Sequence, residues 1–459
     1  MAQADGRSGV TTTVALDAIR DCLEGAAPGV IATCAADGTP NVSYLSQVQY
    51  VDRHHVALSF QFFNKTRANV LANPRARLMV VHPVAGTLYR LAVEYLRTES
   101  EGPLFESMRA KLASIASHTG MADVFRLLGA DVYRVTGIEV VHGAAPGGAA
   151  SFSRLAALRA ASARVLACAD LESLFAATLA ALHEHFEVHH AMFLLVDAAA
   201  ARLYTVASLG YPASGVGSEI PLGAGVIGVA AREGAPIRLF RLAADYSYAR
   251  AIRDSAVRAG IPCAPEKEIP FAGLAESRSQ LAVPIPVAGR TAGVLFVESP
   301  LDLRFGYDDE DALVAFAAQV GQAMHLLQLA DEREGHAPEA AGRPPRARGK
   351  PVTVRHYAAD DSIFLGDDYL IKGVAGAVFW TLVSDYANGG RIAFTNRELR
   401  LDPRVRLPDI GDNLEARLVL LQRRLVEREA CVRIERTGRG RFSLRVSRPL
   451  QLVQVDQGA

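Results

Sequence analysis

Three groups of residues in this 459-residue chain have the types and spacing to do chemistry. In FFNKTRANVLANPRARL (residues 62–78) an apolar strand pattern ends, Asn64, Lys65 and Thr66 follow, and a helical pattern begins. The first amides of a helix are unpaired and point outward. With an ammonium and a hydroxyl beside them they make a seat for an anion of phosphate size. Residues 391–448 hold 15 arginines and no lysine against 8 acidic residues, an excess of seven positive charges. Guanidinium forks donate in pairs, which suits phosphates and the edges of bases. The third group is HEHFEVHH, with His183, His185, His189 and His190. A continuous helix would put His185 and His189 on one face at metal-compatible spacing. The helical pattern ends near Phe186 and AMFLLVD opens a strand, so no metal site is expected. No Ser-His-Asp, Cys-His or paired-carboxylate constellation is legible.

The elements that must position these groups fall into three blocks, as the length suggests at roughly 150 residues per domain. GAAPGGAAS (143–151) and REGHAPEAAGRPPRARGKP (333–351) are the breaks, the second reading as a semi-extended linker. The expected division is a disordered stretch over 1–12, then domains over 13–143 and 152–331, a linker over 332–351, and a domain over 352–455. In the first block VIATCAAD, VSYLSQVQYVD and VALSFQFF are β-rich runs between turn residues. A short helix stopped by Pro74 follows, then the strand ARLMVVHP, a helix in LFESMRAKLASIASHTG and the strand ADVYRVTGIEVV. Such a meander predicts a small antiparallel barrel. The second block reads as one long helix over 152–186, strands AMFLLVD and RLYTVASLG, a hairpin LAVPIPV-AGR-TAGVLFVES and a closing helix from Asp308 to about Asp331. That is an α+β domain. Leu313, Phe316, Val320, Ala323, Leu327 and Ala330 keep 3-4 spacing along the closing helix, the mark of a coiled-coil seam, with an intradomain core face as the alternative. The third block runs helix, short helix, long helix and a CVRIERTG-RG-RFSLRVS hairpin, the order of a winged helix-turn-helix.

Lysine plus arginine and aspartate plus glutamate both number 49, so the whole chain has no electrostatic bias toward nucleic acid or membrane. No run approaches ~18 uninterrupted apolar residues, and MAQADGRSG lacks a signal-peptide core. The five cysteines (Cys22, Cys34, Cys168, Cys263, Cys431) are scattered without CxxC spacing. These features lead us to expect reduced thiols, a cytoplasmic location and no membrane partner.

The segment around Asn64, Lys65 and Thr66, with its NPR strand entry and the preceding Asp37, Gly38 and Pro40, resembles the pyridoxamine 5'-phosphate oxidase-like split barrels over about residues 29–141. The resemblance implies FMN, with Lys65, Thr66 and Asn69 as phosphate ligands beside Asn64, and with Ser43, Tyr44 and Leu45 and Phe60, Gln61 and Phe62 flanking the ring. It also implies a homodimer, because this family seats FMN at a dimer interface. Two departures argue against a vitamin oxidase. Ser43 stands where the oxidases carry an arginine, and the Trp-Gln-Gly substrate segment is missing, the single tryptophan being Trp380. Related split barrels bind haem or a deazaflavin, and those alternatives stay open.

IPLGAGVIGVAAREGAPIRL, LAVPIPVAGRTAGVLFVESP and FGYDDEDALVAFAAQVGQAM resemble a GAF domain, which implies a small-molecule ligand or a dimerising, strain-transmitting role. Gly223, Gly225 and Gly228 look like GxGxxG, but an antiparallel domain lacks the parallel βαβ unit that fingerprint needs, so they are read as turn glycines. LPDIGDNLEARLVLLQRRLVER and RIERTGRGRFSLRV resemble the winged-helix effector domain of bacterial response regulators. That resemblance implies Leu414, Leu418, Leu421 and Leu425 as the buried face of the long helix. Arg417, Arg423, Arg424 and Arg428 would then face double-stranded DNA, and Arg439 and Arg441 would sit at the wing tip. Val419 and Leu420 depart from a polar reader, which keeps a protein partner open. The expected fold class is multidomain: an antiparallel β split barrel, then an α+β GAF domain, then a winged helix-turn-helix. The expected function is a one-component transcriptional regulator. The alternatives are an FMN-dependent oxidoreductase with regulatory domains and a haem-binding sensor.

Overall fold

The computed structural model describes residues 14–23, 28–61, 65–83, 85–118, 127–143, 154–239, 269–333, 349–405, 407, 414–438 and 440–455. Phe62, Asn64, Cys263 and Arg439 lie outside them. The described residues divide into two compact units, one over 14–143 and one over 154–455.

The first unit is a seven-stranded antiparallel sheet in the order β2-β1-β5-β6-β7-β4-β3. Its strands are β1 (Gly29–Cys34), β2 (Pro40–Leu45), β3 (Val48–Asp52), β4 (His55–Phe60), β5 (Arg75–Val81), β6 (Leu88–Glu99) and β7 (Gly129–His142). A 3-10 helix (Leu16–Leu23), α1 (Lys65–Ala72) and α2 (Pro103–His118) accompany them. VSYLSQVQYVD is two strands rather than the single run expected, because the chain leaves the sheet at Ser46 and Gln47 and pairs with different neighbours on either side. Strand β6 has no counterpart in the sequence reading. It nonetheless alternates as a half-buried strand should, with Tyr89, Leu91 and Val93 inward. One apolar core joins Ile31, Val56, Leu78, Leu91 and Tyr133.

The second unit begins with α3 (Arg154–Leu166) and α4 (Leu171–Phe186), which the sequence reading ran together. Asp170 separates them. Its carboxylate accepts the Ser173 amide at 2.8 Å and the Ser173 hydroxyl closes the capping box, so a new helix starts there. A six-stranded antiparallel sheet follows in the order β10-β9-β8-β13-β12-β11. It comprises β8 (His190–Asp197), β9 (Arg202–Leu209), β10 (Glu219–Pro221), β11 (Ile237–Leu239), β12 (Ser279–Val287) and β13 (Arg290–Ser299), with α5 (Gly225–Glu233) between β10 and β11. Gly223 (φ +81°) makes the tight turn into α5, and Gly228 packs so closely that a Cβ would sit 2.3 Å from the Pro221 carbonyl. Gly223 thus serves a turn, as expected, whereas Gly228 lies within α5 and serves close packing instead.

Helix α6 (Tyr307–Arg333) corrects a further expectation. Leu313, Phe316, Val320 and Ala323 are buried in the core of this domain with Leu327 packed beside them, so the 3-4 spacing serves the chain's own sheet, chiefly β12. A flat sheet face accepts such a stripe as readily as a partner helix does. By length and composition residues 307–330 would also suit a membrane span, but here they form that core helix.

The remaining strands are β14 (Val352–Tyr357), β15 (Ser362–Leu365), β16 (Asp368–Ile371), β17 (Ala393–Thr395), β18 (Val432–Gly438), β19 (Arg441–Val446) and β20 (Leu450–Val455). With them go α7 (Gly373–Gly389), α8 (Asn396–Leu401) and α9 (Leu414–Glu427). Strand β14 pairs with β15 and, in parallel, with β20. The β18–β19 hairpin takes β17 as its third strand. The three helices and the hairpin fall where expected, and both the leading sheet and β20 are additions. Buried apolar residues of this region and of the domain before it belong to one continuous core cluster.

Candidate functional site

At the head of α1 the chain builds a cluster of hydroxyls and amides. Antiparallel pairing of β1 with β2 sets Ile31 against Ser43 and Thr33 against Asn41, so Asn41 and Ser43 project together toward α1. The Thr66 hydroxyl receives the Asn41 side-chain amide at 2.8 Å and lies 2.6 Å from the Ser43 hydroxyl. Asn69, buried, donates to the Thr33 hydroxyl at 3.1 Å. Lys65, the first residue of α1, is exposed. Asp37 in the β1–β2 turn is held below the usual carboxylate range by the Thr39 amide and hydroxyl and, less strongly, by the Lys65 ammonium. Thr66 and Ser43 therefore sit together beside the helix terminus with Lys65 at its rim, while Asn69 acts through Thr33 from beneath.

A cleft of about 90 Å³ opens beside this cluster, lined among others by Ser43, Tyr44, Gln61, Thr66, Arg67 and Asp131. Two of these were missed by sequence reasoning. The Arg67 guanidinium pairs with Asp131 at 2.5 Å and lies 4.7 Å from the centre of the Phe60 ring. Thr98 donates to the same carboxylate at 2.6 Å. Burial pushes the Asp131 carboxyl above its usual range, against the pull of Thr98 and Arg67. Burial also works against the Arg67 charge, but Asp131 together with the Tyr95 hydroxyl outweighs it and Arg67 is raised. The only signal in the sequence was a second cation next to Thr66. Gln61 is 8% exposed; its amide donates to Ser59 at 3.3 Å, and its Oε1 has no hydrogen-bond partner among the described residues. A buried acceptor without a donor costs about 1–3 kcal/mol, so this one is suited to a ligand N–H or O–H. Tyr44, on the cleft wall, is 84% exposed, and Val42 of the same edge strand β2 is 66% exposed.

The second cationic candidate is α9, and there the structure corrects the sequence reading. Arg417 and Arg424 are both 5% exposed. Arg417 pairs with Asp197 of β8 at 2.7 Å and lies 3.9 Å from the centre of the Tyr204 ring of β9. Arg423 donates to the Val206 carbonyl at 2.7 Å, and Arg424 to the Leu370 carbonyl at 3.1 Å. Burial draws both of these guanidiniums below their usual range. The physical reason is a second buried face. Leu414 to Leu421 are all buried, so Val419 and Leu420, the residues that departed from a polar reader, turn inward as the leucines do. Arg428 is exposed and Arg441 half-buried.

The face of the β8–β13 sheet away from α4 carries a third cluster. Glu298, 2% exposed, accepts the Leu274 amide at 2.9 Å and the Gln280 side chain at 3.4 Å. The His190 and Tyr211 rings lie 5.6 Å apart beside it. Burial lowers His190 against the charge of Glu298, and burial followed by that charge raises Tyr211. Helix α4 ends at Phe186, as the sequence predicts. His183 lies on the helix and His189 beyond its end, their rings 5.3 Å apart and edge to face. No group of three or more metal-ligating side chains occurs among the described residues.

Comparison with known proteins agrees with this division. The pyridoxamine 5'-phosphate oxidase family model matches residues 15–136 and the GAF domain model residues 170–324. No curated protein matches the chain. Among solved structures, an FMN-binding protein of Syntrophomonas wolfei covers 28% of this chain and 88% of its own at 17% identity, with a TM-score of 0.24. Free methionine-R-sulfoxide reductase of Neisseria meningitidis covers 41% and 97% at 25% identity, with a TM-score of 0.31. The GAF domain of an Acinetobacter phosphoenolpyruvate-protein phosphotransferase covers 41% and 99% at 19% identity, with a TM-score of 0.30. The chain thus joins a split barrel of the pyridoxamine 5'-phosphate oxidase type to a GAF domain.

Proposed function

We propose that this protein is a flavin-responsive regulator, in which the barrel holds FMN and the C-terminal region is a winged helix that reads double-stranded DNA. The observation that carries the flavin half is one cleft bearing both kinds of group FMN needs. The Thr66 and Ser43 hydroxyls with Lys65 suit its phosphate, and the unpartnered Gln61 acceptor suits an N–H of its ring. When bound, FMN would supply a two-electron redox couple; the protein's part is to hold the phosphate and orient the ring. At about 90 Å³ the cleft encloses only part of such a ligand, and the exposed Tyr44 on its wall suits cover by a second copy, so the proposal includes a homodimer. Support for the winged helix lies in the order α7, α8, α9 and the β18–β19 hairpin, together with the local arginine excess. The Glu298, His190 and Tyr211 cluster is where a small GAF ligand would be read.

The first test is the absorption spectrum of the purified protein and titration with FMN. Flavin bands, or micromolar binding of added FMN, are the expected result. Colourless protein that takes up no FMN would end the flavin half. Light scattering should give a dimer, and the 49 kDa monomer mass at every concentration would refute the second copy.

A further inference from the structure

We propose that the GAF domain masks the arginine face of α9, and that DNA reaches Arg417 and Arg423 only after α9 leaves the β8–β9 edge. The inference rests on the winged-helix reading above. It is motivated by what the arginines hold. Each partner supplied by the GAF domain is an anionic or acceptor oxygen in the role a phosphate oxygen would play: the Asp197 carboxylate for Arg417 and the Val206 carbonyl for Arg423. The seam extends beyond these two. The Ser214 hydroxyl donates to Glu427, Lys372 pairs with Glu219 at 3.1 Å, and Arg436 reaches both Asp170, at 3.3 Å, and Glu415. GAF oxygens thus occupy the donors a polyanion would need, and bound DNA and docked α9 exclude each other. Two-state competition of this kind shifts only by the difference in affinity between the states, so weakening the dock should strengthen DNA binding by the same factor. Strand β9 offers the trigger. It carries Tyr204 and the Val206 carbonyl at the dock and alternates with Leu203 and Thr205 on the face that bears the Glu298 cluster.

The test uses the full-length protein. Asp197→Asn removes the charge facing Arg417 yet keeps an oxygen for the Ala200 amide, which Asp197 accepts at 3.0 Å. Ser214→Ala, in an exposed position, is the milder second variant. Amide hydrogen exchange over 414–427 and anisotropy with labelled duplex DNA at low salt are the readouts. We expect exchange in α9 to quicken at least tenfold in Asp197→Asn and by less in Ser214→Ala, with the β18–β19 amides unchanged. The dissociation constant for DNA should fall in proportion. Wild-type protein binding DNA as tightly as both variants would overturn the masking and leave the DNA reading standing. Exchange unchanged in both variants would overturn it too. Faster exchange with no DNA binding by any form would overturn the DNA reading, and the masking with it.

Discussion

The two cationic regions of this chain read alike in sequence and differ in what their charges do. Around α1, Lys65 projects from the helix start and the hydroxyls of Ser43 and Thr66 line an open cleft. Along α9, by contrast, Arg417 and Arg424 are as buried as leucines and spent on the chain's own oxygens. The barrel contains both conditions side by side, since Arg67 is neutralised by Asp131 one residue after Thr66. A cation therefore announces a binding site only when nothing in the fold has already claimed it. Charge counts over a window cannot make that distinction, because the claimant, Asp197, lies 220 residues away.

The largest effect expected from this contrast is on stability. Arg417→Ala should leave the Asp197 carboxylate without its cation in a largely dry setting and strip a guanidinium from the Tyr204 ring. Breaking such a buried pair costs about 3 kcal/mol or more. Arg428→Ala, just past the end of α9 and exposed, should stay within about 0.5 kcal/mol. Calorimetry that found the two variants equally stable would dissolve the distinction between spent and free arginines.

Next in size is ligand binding at the barrel. Lys65→Ala should weaken FMN by roughly ten- to a hundredfold, the worth of a charge-assisted contact at about 1.5–3 kcal/mol, with the melting temperature hardly moved. Gln61→Leu should separate binding from stability. It removes an acceptor left without a donor, so the free barrel should gain up to about 1 kcal/mol while FMN affinity drops. A variant that lost both stability and affinity would show that Gln61 supports the fold rather than the ligand.

Much of the architecture was legible because it rests on local rules. The Pro74 stop, the 3-4 stripe of α6, the hairpin turns and the polar head of α1 all follow from short-range periodicity and turn chemistry. The failures share one cause, which is tertiary pairing. VSYLSQVQYVD carries no local signal that its halves pair with different strands. The division of α3 from α4 is the exception, a local capping box between Asp170 and Ser173 that the periodicity overrides. The partner-helix reading of the α6 stripe gives way to its alternative, a core face, because spacing cannot tell a helix from a sheet as its mate. On α9 the run ARLVLLQRR holds two apolar faces, and a reading that allows one buried face assigns the arginines to solvent. At the barrel site the cluster is legible in part: Ser43, Gln61 and Thr66 line one cleft, whereas the Arg67–Asp131 pair needs the cleft to be seen.

The smallest expected effect concerns pH, and it takes opposite signs in the two units. Burial raises the folded-state pKa of Asp131 above the usual aspartate value near 3.9. The protonated form is therefore the one folding favours. Its contribution is fully present below the unfolded pKa and is lost as pH climbs through the folded one. Asp170, despite its own burial, is lowered by the Ser173 amide and hydroxyl and by Arg436. Its contribution is present above the unfolded pKa and is lost as pH falls through the folded value. Because many carboxylates titrate together, the sign should be read from differences. Between pH 3.5 and 6, the stability of wild type relative to Asp131→Asn should rise on acidification, whereas that of wild type relative to Asp170→Asn should fall. Hydrogen exchange in peptides from β6 and β7 reports the first and peptides from α4 the second, so no two-state assumption for the whole chain is needed. Two slopes of the same sign would mean that the Arg67 pair, rather than burial, governs Asp131, and the guanidinium beside the cleft would then hold its carboxylate as firmly as the α9 arginines hold theirs.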